Sequence, residues 1–182
     1  MLLALKANEV LSATDSLGNF VLNYPEGYCG AAMLQPKEGN SIIVLLNHEN
    51  FKIQWDNVQD FNTLRFTNSP ENDAFAQVIA LNQETDPILA GLKYLLPQYV
   101  NDPEANKWII QEIKKQENRF PAFIKSLPAN SYAAYYLHMH KLIMDFPLTA
   151  NMYIERMPQH EIDYKNINFN DDKLWTSGFV AE

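Results

Sequence analysis

The 182-residue chain has little cysteine and few basic residues. Its single cysteine, Cys29, excludes an internal disulfide, a CxxC redox pair and a cysteine-rich zinc site within these residues. Lys and Arg number 14 against 22 Asp and Glu, which gives a formal net charge of −8. Because binding to a phosphate backbone needs clustered cations, we expect no nucleic-acid partner. The acidic balance is instead typical of a surface that keeps a protein in solution.

Long apolar runs and the common catalytic motifs are also missing. No stretch approaches the roughly 20 apolar residues of a membrane span. The first ten residues, MLLALKANEV, are too short and too interrupted for a signal peptide. No G-x-S-x-G, phosphate-binding loop, G-x-G-x-x-G or H-E-x-x-H pattern occurs. We therefore expect no catalytic residue, no bound cofactor and no metal in this chain.

Hydrophobic residues make up 47% of the chain, and their pattern changes near residue 68. Before residue 68, short apolar runs alternate with turn residues, which is typical of antiparallel strands. Gly18 and Asn19 suit the positive-φ positions of a tight turn, and NHEN at 47–50 predicts a hairpin loop. Five or six strands would form a small sandwich or curved sheet. The predicted strands lie at residues 2–11, 20–24, 28–35, 42–46, 51–55 and 64–66.

After residue 68 the spacing of apolar residues becomes helical. Ser or Asp followed by Pro is a helix-start signal, because the first residue caps the helix and Pro needs no N–H donor there. Pro121 is expected to kink or break its helix. We predict an α+β chain with an antiparallel β domain over residues 1–68 and a bundle of five to seven helices over residues 69–182. The start signals lie at 69–70, 86–87 and 102–103, and a further helix is predicted over 131–144.

The histidines and Cys29 are candidates for metal binding or nucleophilic chemistry, and each has a simpler structural interpretation. His138 and His140 are two residues apart, so on a helix they point about 200° away from each other and do not share a ligand. His48 lies in a predicted turn and is expected to be exposed, whereas His160 is isolated. A nucleophilic thiol needs a nearby cation or helix N-terminus. The sequence around Cys29 offers neither, so we expect a buried structural cysteine.

Asp171 and Asp172 open a predicted last helix, whose apolar side is formed by Leu174, Trp175 and Phe179. Paired carboxylates can serve as acid and base, but adjacent acids on a helix do not converge. Both suit the first helical turn, where the helix dipole stabilises negative charge. We interpret them as structural, and we expect this helix to lead into a further domain after Glu182.

Three stretches together resemble a known family. They are a hairpin with paired strands, a strand that runs into a helix start, and a Tyr, Ile-x-Phe-x-Asp, Leu pattern. The family is the N-terminal region of bacterial cell-envelope thiol–disulfide oxidoreductases of the thioredoxin-like (redoxin) class. The resemblance extends over residues 11–179. Its residues are TDSLGNFVLNYP with GYCGAAML and NSIIVLLNHENFKIQWD, then LRFTNSPENDAF, then YKNINFNDDKLWTSGF.

The resemblance implies a non-catalytic accessory region in a bacterial envelope or periplasmic protein, with an export signal upstream. In that family a small β domain and a helical segment precede a thioredoxin fold with CxxC. That fold and its CxxC are absent here, so no catalytic residue is carried over. The partner implied is the missing thioredoxin-like domain, with protein substrates also possible. Leu174, Trp175 and Phe179 would then form a surface for domain docking.

Two other functions stay open from the residues themselves. The chain could be a stand-alone binding module with a groove for a small ligand or peptide. It could also be an enzyme that uses scattered histidines and carboxylates, which would require perturbed pKa values that converge in one pocket.

Overall fold

The computed structural model describes residues 11–152 and 157–179, except for the side chains of six residues between 144 and 152. The chain has an α+β fold with four strands in two antiparallel pairs and six α-helices in this part, as predicted for its class. The strands are β1 (Cys29–Leu34), β2 (Ile42–Asn47), β3 (Lys52–Trp55) and β4 (Leu64–Thr67). The helices are α1 (Pro70–Leu95), α2 (Pro103–Glu117), α3 (Arg119–Ser126), α4 (Tyr132–Met152), α5 (Met157–Lys165) and α6 (Asp172–Trp175).

The two strand pairs face each other across an apolar layer. Strand β1 pairs with β2, with Cys29 opposite Asn47, and β3 pairs with β4, with Lys52 opposite Thr67. Every second residue of a strand points to the same face, and β2 buries one such set. That set is Ile42, Val44 and Leu46, and it is covered by Ile53 and Trp55 of β3 and by Leu64 and Phe66 of β4.

Two strand predictions are wrong. The predicted hairpin between β2 and β3 does not form, because the two strands lie in different sheets. Strand β3 covers the apolar face of β2 instead of extending its edge, and His48 turns the chain with a φ of 57°. Residues 20–24 form no strand, since Val21 is 74% exposed and has no apolar layer to pack against. The predicted strand at 2–11 lies almost entirely outside the described residues.

The turn before residue 20 was predicted in part. Gly18 adopts a φ of 82°, as its sequence context indicates. Asn19 does not have a positive φ. Its backbone N–H donates to the Asp15 carboxylate at 2.8 Å, and its side-chain amide donates to the same carboxylate. Asn19 therefore closes the turn through hydrogen bonds to Asp15, which also hold the pKa of that carboxyl below its ordinary value.

Two of the three predicted helix starts are confirmed. Helix α1 begins at Pro70, and α2 begins at Pro103 with the Asp102 carboxylate accepting from the Ala105 N–H at 3.0 Å. The predicted start at Pro87 is wrong, because α1 continues through it. Pro87 removes the donor for the Gln83 carbonyl, and Gln83 and Pro87 are both exposed, so water can serve that carbonyl instead.

Two further prolines, Pro121 and Pro147, lie inside helices. The break predicted at Pro121 occurs at Asn118, between α2 and α3, so Pro121 is the third residue of α3. The first four N–H groups of a helix need no intrahelical acceptor, and Pro is tolerated there. Helix α4 continues through Pro147.

The chain clusters into two compact units. The β-containing unit comprises residues up to Ser69 together with Met139–Glu182, and the helical unit comprises Pro70–His138. The boundary after Ser69 lies next to the predicted one at residue 68. Residues from Met139 onwards, which the predicted division places in the helical domain, cluster with the strands. A physical reason is the attachment of Thr176 to β1, where the Ala31 N–H donates to the Thr176 carbonyl at 2.8 Å.

A buried carboxylate organises the helical unit. Glu71, in the first turn of α1, is 6% exposed. It accepts hydrogen bonds from the Ser131 hydroxyl at 2.9 Å and from the backbone N–H groups of Tyr132 and Ala133 at 3.1 and 2.6 Å. These N–H groups belong to the start of α4, where helix N–H donors lack partners and the dipole favours negative charge. Glu71 thus acts as a cap supplied by a distant helix.

Ion pairs and an apolar cluster join α1 to α2 and α3. The Lys93 ammonium lies 2.9 Å from the Glu117 carboxylate. Arg119 donates to both carboxylate oxygens of Glu84, at 3.1 and 2.8 Å, and this hydrogen-bonded pairing lowers the pKa of Glu84. Between these pairs, Leu92 of α1 packs with residues of α2. The cluster consists of Leu92, Ile109 and Ile113, with Leu89 and Leu96 packed against it.

We predict that Glu71→Ala lowers the free energy of unfolding by about 2–4 kcal/mol, because three buried donors lose a charged acceptor. Urea unfolding followed by circular dichroism at 222 nm, the helix band, would measure this loss. Asp73→Ala is the control, since Asp73 is an exposed acid in the same helical turn. Its loss should stay below about 1 kcal/mol. Equal losses for the two variants would contradict the capping role.

Candidate functional site

A groove of about 600 Å³ lies beside strand β1 in the β-containing unit. Residues at the start of β1 form one wall, and residues at and before α6 form the other. Small-molecule sites commonly have volumes in this range. The lining residues are Gly27, Tyr28, Cys29, Asn168, Asn170, Asp171, Asp172, Lys173 and Thr176.

Local capping positions the second wall. The Asp171 carboxylate accepts from the Lys173 N–H at 3.0 Å, which is an N-cap of α6. Asp172 lies in the first turn of the helix. The predicted positions of this acidic pair, at the N-cap and in the first helical turn, are therefore confirmed. Leu174 is 1% exposed, so the short helix is held by a buried apolar side chain.

The second wall approaches β1 so closely that only glycine fits at residue 30. The Ala31 N–H donates to the Thr176 carbonyl at 2.8 Å. A Cβ added at Gly30 would lie 2.6 Å from the Tyr28 hydroxyl oxygen and 2.7 Å from the Thr176 Cβ. A Cβ atom does not come that close to a non-bonded atom, so the absent side chain of Gly30 permits this attachment.

The Tyr28 hydroxyl is a hydrogen-bond donor at the groove. Its hydroxyl donates to the Ala31 carbonyl at 3.2 Å. Burial raises the pKa of Tyr28, and the charge of a neighbouring Cys29 thiolate would raise it further. The phenol therefore stays protonated through the neutral pH range and can donate, but it is a poor base.

Cys29 is half-buried, not fully buried as predicted. It is the first residue of β1, and the groove reaches it at that end of the strand. Lys173 lines the same groove and adds a cation to its surface. Asn168, Asn170 and Asp172 add amide and carboxylate groups. Such a surface can hydrogen-bond a polar ligand, whereas dithiol exchange needs a second cysteine.

The three residues predicted as a docking surface have different environments. Leu174 is buried and offers no surface. Phe179 is half-buried and contacts His140 edge to face, with ring centroids 5.9 Å apart. Trp175 is 43% exposed, and its indole N–H donates to the Phe169 carbonyl at 2.9 Å. Trp175 is therefore the only one of the three that exposes a large apolar area.

The other candidates lie apart from the groove. His138 is exposed and His140 is half-buried, and His48 is exposed as predicted. Over the described ranges, no group of three or more His, Cys, Asp or Glu side chains could hold a metal ion. No described helix has the length and apolar character needed to cross a membrane. The carboxyls of Glu84, Glu112 and Glu161 have lowered pKa values because of hydrogen-bonded helix partners, outside the groove.

Comparisons with protein-family models, with curated proteins and with solved structures find no match.

Sequence reasoning missed the groove as a site. Its walls come from residues 27–29 and 168–176, which are far apart in the chain. One signal was present in the sequence. The stretch NINFNDD holds three asparagines and two aspartates at residues 166–172, and such residues concentrate in turns and at helix caps.

We predict that Gly30→Ala detaches the α6 segment from β1 and lowers the free energy of unfolding by about 1–3 kcal/mol, through overpacking. Urea unfolding would measure the loss. Gly91→Ala is the control, because a Cβ there meets open space on helix α1. This control should stabilise the chain by about 0.5–1 kcal/mol. Unchanged stability in Gly30→Ala would contradict the close approach.

Proposed function

We propose that the chain is a non-catalytic accessory region of a cell-envelope thioredoxin-like thiol–disulfide oxidoreductase. In this proposal it positions the redox domain or recognises the protein substrate of that domain. One observation carries the proposal. The segment that contains α6 is attached to β1 through Thr176 and the close approach at Gly30, while Trp175 remains exposed.

The attachment suits a connector between domains. A connector transmits position only if it is fixed to the body that carries it. The Ala31–Thr176 hydrogen bond and the burial of Leu174 fix the segment in the β-containing unit, and the Asp171 cap holds the start of α6 itself. An exposed Trp next to such a segment suits contact with another protein surface, because Trp is enriched at the centres of interfaces.

The redox step belongs to the partner domain in this proposal. A thiolate of that domain attacks one sulfur of a substrate disulfide, the S–S bond breaks, and the other sulfur leaves as a thiolate. The second cysteine of the domain then displaces the substrate from the mixed disulfide. The residues of this chain hold the two proteins in place and transfer no electrons.

An immunoblot of the source cell with antibody against this chain tests the proposal. The expected band lies well above 21.0 kDa, by about a hundred residues or more, and occurs in the envelope fraction. The purified 182-residue chain on the same gel is the control for migration. A band at 21.0 kDa would contradict the accessory role.

The groove favours a second candidate function, a stand-alone module that binds a small polar ligand or a peptide. Its volume and its mixture of amide, carboxylate and ammonium groups support this alternative. A thermal-shift screen with polar metabolites and short peptides would test it. A hit should perturb the amide resonances of Tyr28 and Thr176, and shifts elsewhere alone would contradict the assignment to the groove.

A further inference from the structure

An aromatic pair lies at the connection between β3 and β4. Trp55 is the last residue of β3, and Phe61 begins a short 3-10 turn over Phe61–Thr63. Their ring centroids are 6.0 Å apart and the ring planes are inclined by 24°, which is a stacked arrangement. Phe61 remains 55% exposed. One face of the Phe61 ring therefore lies towards Trp55, and much of the ring contacts solvent.

Hydrogen bonds hold this connection, which we call the aromatic tip (residues 55–63). The Trp55 indole N–H and the Thr63 hydroxyl both donate to the Asp60 carbonyl, at 3.1 and 2.8 Å. The Asn57 N–H donates to the Thr63 hydroxyl oxygen at 3.0 Å. The Asn40 N–H donates to the Val58 carbonyl at 2.9 Å and ties the tip to the preceding loop. Because the loop is already held in place, its ordering would take little of the binding free energy of a ligand that stacks on Phe61.

Uncharged amide side chains occur in the same connection as the exposed ring. The Asn57 side-chain oxygen accepts from the Gln59 N–H at 3.0 Å, and the Asn62 side-chain amide donates to Asp60 at 2.9 Å. Three further groups have no partner among the residues that the structure describes. They are the Asn57 side-chain NH₂, the whole Gln59 side-chain amide and the Asn62 side-chain oxygen. The tip thus combines an exposed apolar ring with spare hydrogen-bond donors and acceptors.

The size and charge of the tip limit its ligand. A stable protein interface buries about 800 Å² on each partner, far more than a single aromatic ring supplies. Asp56 and Asp60 outnumber Arg65 here, and the whole chain carries −8, which disfavours nucleotides and acidic sugars. A neutral pyranose ring has an apolar face of C–H groups and a rim of hydroxyls, which matches the exposed ring and its amides.

We propose that the aromatic tip is a carbohydrate-binding site, in which a neutral pyranose unit stacks on Phe61 and its hydroxyls bond to the amides of Asn57, Gln59 and Asn62. This site is separate from the groove beside β1 and does not depend on the connector role. It would add glycan recognition to the functions of the chain.

Titration of the ¹⁵N-labelled chain with cellotriose, maltotriose and chitotriose tests the proposal. At least one of these neutral oligosaccharides should give saturable shifts of the Trp55 indole N–H and of the amides of residues 57–63. No saturable shift from any of the three at about 10 mM, where a millimolar Kd gives near saturation, would overturn the proposal. So would saturable shifts that lie only outside the tip.

Two variants test the roles of the individual groups. Phe61→Ala should weaken binding about tenfold, because the stacking surface is lost. Phe169→Ala is the matched control, since Phe169 is 48% exposed but lies outside the tip, and it should leave binding unchanged. Equal affinity in Phe61→Ala and Phe169→Ala would overturn the proposal.

Gln59→Ala keeps the test decisive if Phe61→Ala disturbs the folding of the tip. The Gln59 side chain makes no hydrogen bond within the described residues, so its removal should leave the tip intact. Binding should weaken about three- to tenfold, as expected for the loss of one or two hydrogen bonds. Unchanged affinity in Gln59→Ala would contradict the assignment of the amides.

Discussion

The attachment of Thr176 to the edge of β1 is the constraint on which the β-containing unit depends. The Ala31 N–H donates to the Thr176 carbonyl, and this requires a residue without a side chain at Gly30. Because the segment approaches so closely, β1 and the α6 segment, which are far apart in the chain, meet in one unit. The groove, the environment of Cys29 and the exposed position of Trp175 all follow from that contact.

The helical unit depends on a comparable long-range contact. There the Glu71 carboxylate adds to the local cap of α4, in which the Ser131 hydroxyl oxygen accepts from the Ala134 N–H at 3.2 Å. Burying a carboxylate is costly unless hydrogen bonds compensate for the lost hydration, and three donors do so here. Each unit thus contains polar contacts between distant residues, in addition to its apolar layer. The apolar layers alone would leave these pairings unspecified, since hydrophobic burial has no direction.

Local features of the sequence could be predicted, and features that depend on distant residues could not. The starts of α1 at Pro70 and α2 at Pro103 follow from a capping residue and the missing proline N–H. The same signal failed at Pro87, because water can solvate the freed carbonyl of exposed Gln83. The pairing of β2 depends on which apolar faces meet, and the groove depends on residues far apart in the chain. No periodicity in a single segment contains that information.

Amide hydrogen exchange at Ala31 tests whether the α6 segment is fixed to β1. Neighbouring residues of a strand point their N–H groups to opposite edges, so Met33 lies on the same edge of β1 as Ala31. Met33 has no acceptor there among the described residues, and it is 69% exposed. We predict that the Ala31 amide exchanges at least about tenfold more slowly than the Met33 amide. Equal exchange rates would show that the segment is not held on β1 and would contradict the account.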